Sequence, residues 1–230
     1  MKQQVLNGSS YLPILTRYLK MEKVQRVLLV TGKGSFFNSS ASSQLEPFLE
    51  GFQVKRFHEF SGAPIIEDVV RGIQIFNDSE CEAIIAVGGG SVLDMAKLIK
   101  AYQDDQDDIS LKVSNNVVGS CDKRLIALPT TAGSGSEATQ FAVVYIDQKK
   151  FSVSHEKLRP NLVFLITEFT HSANSYLSMS TGMDAMGQAI ESFWSVNSNE
   201  ESREYSREAL QNLWKFLPQA VLENDVVAKS

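Results

Sequence analysis

Apolar and polar positions along this chain follow two alternating periods. Arg26 to Val30 reads RVLLV and Ala83 to Val87 reads AIIAV. Such runs are too short for helices and apolar at nearly every position, the pattern of strands covered on both faces. Phe52 to Phe57, Leu125 to Leu128 and Leu162 to Ile166 are further strand candidates, and Phe141 to Ile146 and Lys150 to Ser154 read as two strands joined by the polar turn Asp147 to Lys149. Between them lie segments of helical period. Ile65 to Asn77 places Val69, Val70, Ile73 and Phe76 on one stripe, and Ser91 to Ala101 is a second helix. Strands alternating with helices predict an α/β, Rossmann-like domain with a parallel sheet and helices on both faces. After about Thr167 the strand blocks stop. Ser180 to Val196 and Glu200 to about Leu222 are helical, separated by the turn Asn197-Ser198-Asn199, with Pro218 near the last turn. The expected organisation is therefore an α/β domain over 1–167 and the start of an all-helical domain over 168–230. The helical part is thin for an independent domain, so it leans on the first or begins something longer.

With 230 residues, 43% of them apolar, the chain can bury a sizeable core. A formal net charge of −5 argues against a general binder of nucleic acid or anionic membrane. Cys81 and Cys121 provide neither a disulfide framework nor a cysteine zinc site, which fits a reducing compartment. Met1 to Ser10 has no apolar core of a signal peptide, and no apolar run approaches the ~20 residues that span a bilayer. A cytoplasmic protein with no membrane partner is expected.

The candidate chemistry sits where strands end. The Ala83 to Val87 strand runs into Gly88-Gly89-Gly90-Ser91 and directly into a helix. Glycines let backbone approach a bulky anion, and the helix start points unpaired N–H groups and a positive dipole end at it, the physics of a pyrophosphate cradle. A second Gly-rich turn, Thr130 to Ser136, follows the Leu125 to Leu128 strand. In a parallel sheet both lie at the carboxyl edge, where ligands of open α/β sheets collect. Asp94 and Lys97 fall one helical turn apart, placed to touch a ligand or each other. Thr130, Thr131, Ser134 and Ser136 offer hydroxyls suited to phosphate, ribose or amide groups, or to turn formation and helix capping. Asp104 to Asp108 reads as a solvated loop, with no metal-ligand spacing around it.

Three runs in order, GGGSVLDMAK from Gly88, LPTTAGSGSE from Leu128 and TGMDAMGQAIES from Thr181, closely resemble the iron-containing (group III) alcohol dehydrogenase family. The resemblance extends from the first strand to the end of the chain. Phe57-His58-Glu59-Phe60-Ser61 ahead of Pro64, and Gln188 to Val196, resemble its phosphonate branch, the hydroxyethylphosphonate dehydrogenases or phosphonoacetaldehyde reductases. The resemblance implies a dehydroquinate synthase-like architecture: a nucleotide-binding α/β domain, then an all-helical metal-binding domain, incomplete here because the chain stops at Ser230. By the same resemblance, Gly88, Gly89, Gly90 and Ser91 hold the pyrophosphate of NAD or NADP and Asp94 lies near the nicotinamide end. Thr130, Thr131 and Ser134 line the adenosine and phosphate path, and Lys150 reaches a cofactor hydroxyl.

Two positions depart from the family pattern. Many relatives carry Asp where this chain has Gly32, and that carboxylate disfavours the 2′-phosphate of NADP. With Gly32 in its place and Lys33 adjacent, NADP(H) is favoured over NAD(H), unless Gly32 only serves a tight turn. The family holds a divalent ion, iron or zinc, with one Asp and three His, the Asp and first His four apart on one helix. Asp184 matches the Asp, but the position four on is Gln188, whose amide oxygen is a weaker donor than imidazole toward such metals. His58, His155 and His171 lie outside the motif positions. The implied activity is hydride transfer between NAD(P) and a small primary alcohol or aldehyde, such as phosphonoacetaldehyde, with Lys150 and Arg159 available as cations for an anionic substrate. The alternative is a truncated relative that binds NAD(P) without turnover. Phe193, Trp194, Leu213, Trp214 and Leu217 are expected to form an apolar face, which predicts aggregation or self-association, including as a homodimer.

Overall fold

The computed structural model describes residues 3–60, 62–105, 108–120 and 122–229. Cys121, Ser61 of the branch motif, and Gln106 and Asp107 of the acidic stretch lie outside the described residues. The chain divides into two compact units, Met1–Thr130 with Ser136–Ile166, and Thr131–Gly135 with Thr167–Ser230.

The first unit starts with β1 (Gln4–Asn7), α1 (Pro13–Met21), β2 (Arg26–Thr31), α2 (Ser35–Asn38), α3 (Ala41–Leu49) and β3 (Gln53–Phe57). It continues through α4 (Ile66–Asp78), β4 (Ala83–Gly88), α5 (Gly90–Tyr102), α6 (Ile109–Ser114) and β5 (Arg124–Pro129). A hairpin of β6 (Phe141–Ile146) and β7 (Lys149–Ser154) precedes β8 (Leu162–Leu165). Six strands form one parallel sheet in the order β1-β8-β5-β4-β2-β3, and β6 pairs antiparallel with β7 in a separate two-stranded sheet. All residues of β4 are buried, as a central strand with near-continuous apolar sequence requires. On α4, Ile66, Val69, Ile73 and Phe76 face the core, whereas Val70 is exposed, so the apolar stripe is narrower than its sequence suggests. Glu67 and Asp68 occupy the first turn of α4, where negative charge complements the helix dipole.

The described aspartates of the acidic stretch lie in irregular chain, Asp104 and Asp108 exposed, and make local contacts. Asp108 caps α6 by accepting from the backbone N–H of Ser110 and Leu111, Asp105 pairs with Lys112 at 2.5 Å, and Asp104 accepts from Ser120 Oγ at 2.6 Å.

The β6–β7 hairpin lies outside the six-stranded sheet, and an isolated two-stranded hairpin is marginal in water. The backbone N–H of Tyr145 donates to the Pro64 carbonyl at 2.8 Å and that of Ser154 to Asn116 Oδ1 at 2.7 Å, and one ridge of α5 adds further anchors. Asp94 accepts from Ser136 Oγ at 2.6 Å and from the backbone N–H of Val143 at 3.0 Å. One turn on, Lys97 Nζ donates to the carbonyls of Thr139 (3.0 Å) and Phe141 (2.7 Å) and to Thr139 Oγ1 (3.2 Å). Lys100 Nζ reaches the carbonyl of Lys157 at 2.5 Å. The side chains at 94 and 97 therefore spend their polar atoms on the hairpin segment rather than on each other.

The second unit contains α7 (Ser175–Trp194) and α8 (Glu200–Pro218), joined by a short turn. Asn174 caps α7, and Asn199 with Ser202 forms a capping box at α8, followed by Glu200 and Glu201 in the first turn. Of the expected apolar face, Phe193, Trp194 and Trp214 are exposed. Leu213 and Leu217 instead line a cavity of about 430 Å³ together with Phe216, Gly182 and Thr181.

Lys97 generates a stability prediction. Burial, against the charges of Asp94 and Glu137, holds its ammonium down to about 8 from an ordinary 10.5. Between those values the unfolded chain binds more protons, so the cost of the buried charge is present below pH 8 and fades toward pH 10.5. Lys97→Met strips the Thr139 and Phe141 carbonyls of their donor and is expected to cost about 1–3 kcal/mol. Urea denaturation should show that penalty larger at pH 10 than at pH 7; an equal or smaller one at pH 10 contradicts the assignment.

Candidate functional site

Because the sheet is parallel, the ends of β2, β3, β4 and β5 gather at one edge. At the end of β4, Gly88 stands opposite Pro129, and its carbonyl accepts from the backbone N–H of Thr130 at 3.1 Å. A β-carbon on Gly88 would lie 2.5 Å from Val92 Cγ2 and 2.7 Å from Val92 Cβ, so only glycine lets α5 begin this soon after the strand. Gly89 is the N-cap of α5, extended at φ −77° and ψ −175°, with no side chain to cap the helix. Its carbonyl accepts from Val92 and Leu93. The N–H groups of Gly90 and Ser91 make no bond to the described residues and point off the helix start with its positive dipole end. Those free donors are the groups that a bound anion at a helix start would use.

Asp94 lies one turn further along α5. Burial pushes its carboxyl above the usual range, opposed by the Ser136 and Val143 hydrogen bonds and by the charges of Lys97 and Lys150. Lys150 is exposed near the start of β7, paired with Tyr145, and its charge is felt at Asp94. Thr130 is buried at the end of β5.

The turn after β2 holds Gly32 and Lys33. Buried Thr31 donates its hydroxyl to the Gly32 carbonyl at 3.1 Å and accepts from Arg56 Nε at 2.7 Å. Arg56 Nη2 donates to the carbonyls of Gly32 (3.0 Å) and Lys33 (3.4 Å). Its guanidinium carbon lies 4.3 Å from the ring centre of Phe37 and 5.3 Å from that of Phe36. Sequence reasoning reached Gly32 and Lys33 but missed Arg56, which sits opposite Leu29 only because β3 pairs with β2.

In the second unit, Gly133 has φ +136°, and a side chain there would run into the Thr181 carbonyl. Thr131 borders the cavity that Leu213 and Leu217 line. Ser134 lies in the same loop as Gly133. Gln188 Nε2 donates to the Gly133 carbonyl at 3.1 Å and to Asp184 Oδ2 at 3.0 Å. The Asp184–Gln188 pair thus comes together as its spacing implies, but the amide turns its nitrogen toward the carboxylate. A cation needs lone pairs, and N–H groups offer none. Among the described residues no three His, Cys, Asp or Glu side chains converge as a metal site. His155 Nδ1 accepts from the backbone N–H of Lys157 and so caps a short turn. The described residues, as arranged, do not fit a metal centre.

Residues 3–167 match the family model described as iron-containing alcohol dehydrogenase. A protein named "Probable alcohol dehydrogenase EutG" from Escherichia coli K12 is 34% identical over 162 residues, covering 70% of this chain and 41% of that protein. The NAD-dependent methanol dehydrogenase of Bacillus methanolicus is 28% identical over 212 residues, covering 90% of this chain and 55% of the relative. The chain thus spans about half the length of the curated relatives it matches. Among solved structures, sulfoacetaldehyde reductase from Bifidobacterium kashiwanohense in complex with NAD+ superposes with a TM-score of 0.91 at 27% identity, over 99% of this chain and 61% of that one. Among the described residues no helix is long and apolar enough to cross a membrane.

The tight start of α5 gives a direct test. Gly88→Ala must displace the branched Val92 side chain or the first turn of α5, and overpacking of this kind costs about 1–3 kcal/mol. A Gly88→Ala protein with an unchanged urea midpoint would show that the helix start has slack.

Proposed function

Because the chain belongs to the iron-containing alcohol dehydrogenase family, we propose that it carries the nicotinamide-dinucleotide site of a protein transferring hydride between NAD(P) and a small primary alcohol or aldehyde. The observation that carries this reading is the uncapped start of α5, where Gly90 and Ser91 present free N–H groups at the carboxyl edge of a parallel sheet. The bound nicotinamide supplies or accepts the hydride; the protein binds and orients it. In this reading Gly88 admits the helix start beside the diphosphate, and Gly89, Gly90 and Ser91 bind it. Thr130 flanks it, and Asp94 and Lys150 stand toward the nicotinamide end. Residues 1–167 form the cofactor-binding domain and 168–230 begin a helical one.

The substrate class follows from charge. Sulfoacetaldehyde, in the name of a structural relative, is a small anionic aldehyde, and phosphonoacetaldehyde is another. Lys150 and Arg159 are the exposed cations proposed to meet such an anion.

A second reading has its own support. The Gln188 amide is occupied by Asp184 and Gly133, which favours a protein that binds NAD(P) without turning it over. One titration addresses both. Nicotinamide fluorescence of NADH and NADPH should rise on adding the chain and stay unaffected by Fe(II) or Zn(II). Ser91→Asp puts a carboxylate in the first turn of α5, where it suits the helix dipole but repels a diphosphate. It is expected to keep the wild-type urea midpoint and weaken both nucleotides by about tenfold or more, the worth of ~1.4 kcal/mol. If Ser91→Asp binds both as tightly as wild type, the cradle is elsewhere. Oxidation of NADPH by an aldehyde favours the enzyme; binding without oxidation favours the second reading.

A further inference from the structure

Arg56 is a cation without an anion. Nε and Nη2 are spent on three neutral oxygens, those of the Thr31 hydroxyl and the Gly32 and Lys33 carbonyls. The Phe36 and Phe37 rings flank the guanidinium. Among the described residues no carboxylate lies within ion-pair distance of it, and Nη1 makes no hydrogen bond. Desolvating such a charge without a counter-charge is unfavourable. Here the protein supplies rigidity instead. Two aromatic faces and three fixed acceptors hold the fork in one orientation, which removes much of the entropy cost of closing it on a ligand.

The location narrows what the ligand is. Arg56 is near the carboxyl end of β3, and β3 lies two strands, about 10 Å, from β4 and its cradle. Gly32, between Arg56 and solvent-exposed Lys33, has no side chain to oppose an anion. A planar fork beside an exposed ammonium suits a phosphate monoester, which takes two parallel N–H bonds from the first and a point charge from the second.

We propose that Arg56, with Lys33, binds the 2′-phosphate of the adenosine ribose, and so makes the protein prefer NADP(H) to NAD(H). This rests on the cofactor reading of the α5 cradle and adds to it the residue that sets cofactor choice. Arg56 is a specificity residue that touches only the far end of the cofactor, so its removal should separate the two nucleotides rather than abolish binding.

The test is fluorescence titration of the full chain with NADPH and NADH, with and without competitors. Wild type is expected to bind NADPH about tenfold or more tightly than NADH, the effect of one charge-assisted hydrogen bond. Arg56→Gln should erase that difference by weakening NADPH alone. Lys33→Glu changes an exposed side chain whose Nζ makes no hydrogen bond among the described residues, and should do the same without any change in the urea midpoint. Adenosine 2′-phosphate should displace NADPH from wild type better than adenosine 5′-phosphate does, whereas inorganic phosphate at the same concentration should not. Equal affinity for NADPH and NADH in wild type overturns the inference, as does equal weakening of both by Lys33→Glu. Displacement by inorganic phosphate alone overturns it in favour of a free-phosphate site. Binding of neither nucleotide sinks the cofactor reading itself, and this inference with it; binding of both without preference sinks only this inference.

Discussion

Burying charged side chains along one ridge of α5 is the constraint on which the first unit depends. Asp94, Lys97 and Lys100 point into the protein, where an unpaired charge is costly, and they are satisfied by backbone groups of the segment 136–157 together with the hydroxyls of Ser136 and Thr139. The arrangement is reciprocal. The hairpin gains anchors it could not find in the six-stranded sheet, and the ridge gains acceptors and donors that water would otherwise supply. It also fixes α5 in rotation, and with it the direction of the free N–H groups at its start. The chemistry at one end of the helix is thus held by polar contacts along its flank.

That ridge also shows where sequence reading stops. The spacing of Asp94 and Lys97 correctly puts them one turn apart, but their partners lie 42 to 49 residues away, and no local period encodes them. Arg56 escapes for the same reason, since it meets Gly32 only through the pairing of β2 with β3. Strands β2, β4 and β5 were legible because burial on both faces leaves an unbroken apolar run. The hairpin was legible because a polar turn divides two such blocks. β1 was not, since its four residues at a sheet edge are mostly exposed and carry little pattern. α3 was hidden by Pro47 inside it. α1 did carry a signal, with Pro13 at its start and buried Leu15 and Leu19 four apart, which the reading passed over.

In the second unit the motif spacing was sound while its chemistry changed. Positions four apart on a helix face the same way whatever their side chains, so Asp184 and Gln188 meet as Asp and His would. Replacing imidazole by an amide converts a pair of lone-pair donors into a hydrogen-bonded pair. The amide's second bond, to the Gly133 carbonyl, ties the Gly-rich loop to α7. What would be a ligand position has become a structural contact between a loop and a helix.

The two tryptophans of the chain, Trp194 and Trp214, both lie on the helices of the second unit and are 74% and 81% exposed. The first unit, with the whole parallel sheet, has no indole at all. Light absorbed selectively by indole therefore interrogates the helical unit alone, from rings already in water and open to a dissolved quencher. Unfolding of the sheet leaves that emission dark to the event unless the helices open with it. The molecule is optically partitioned along the line that divides its two units.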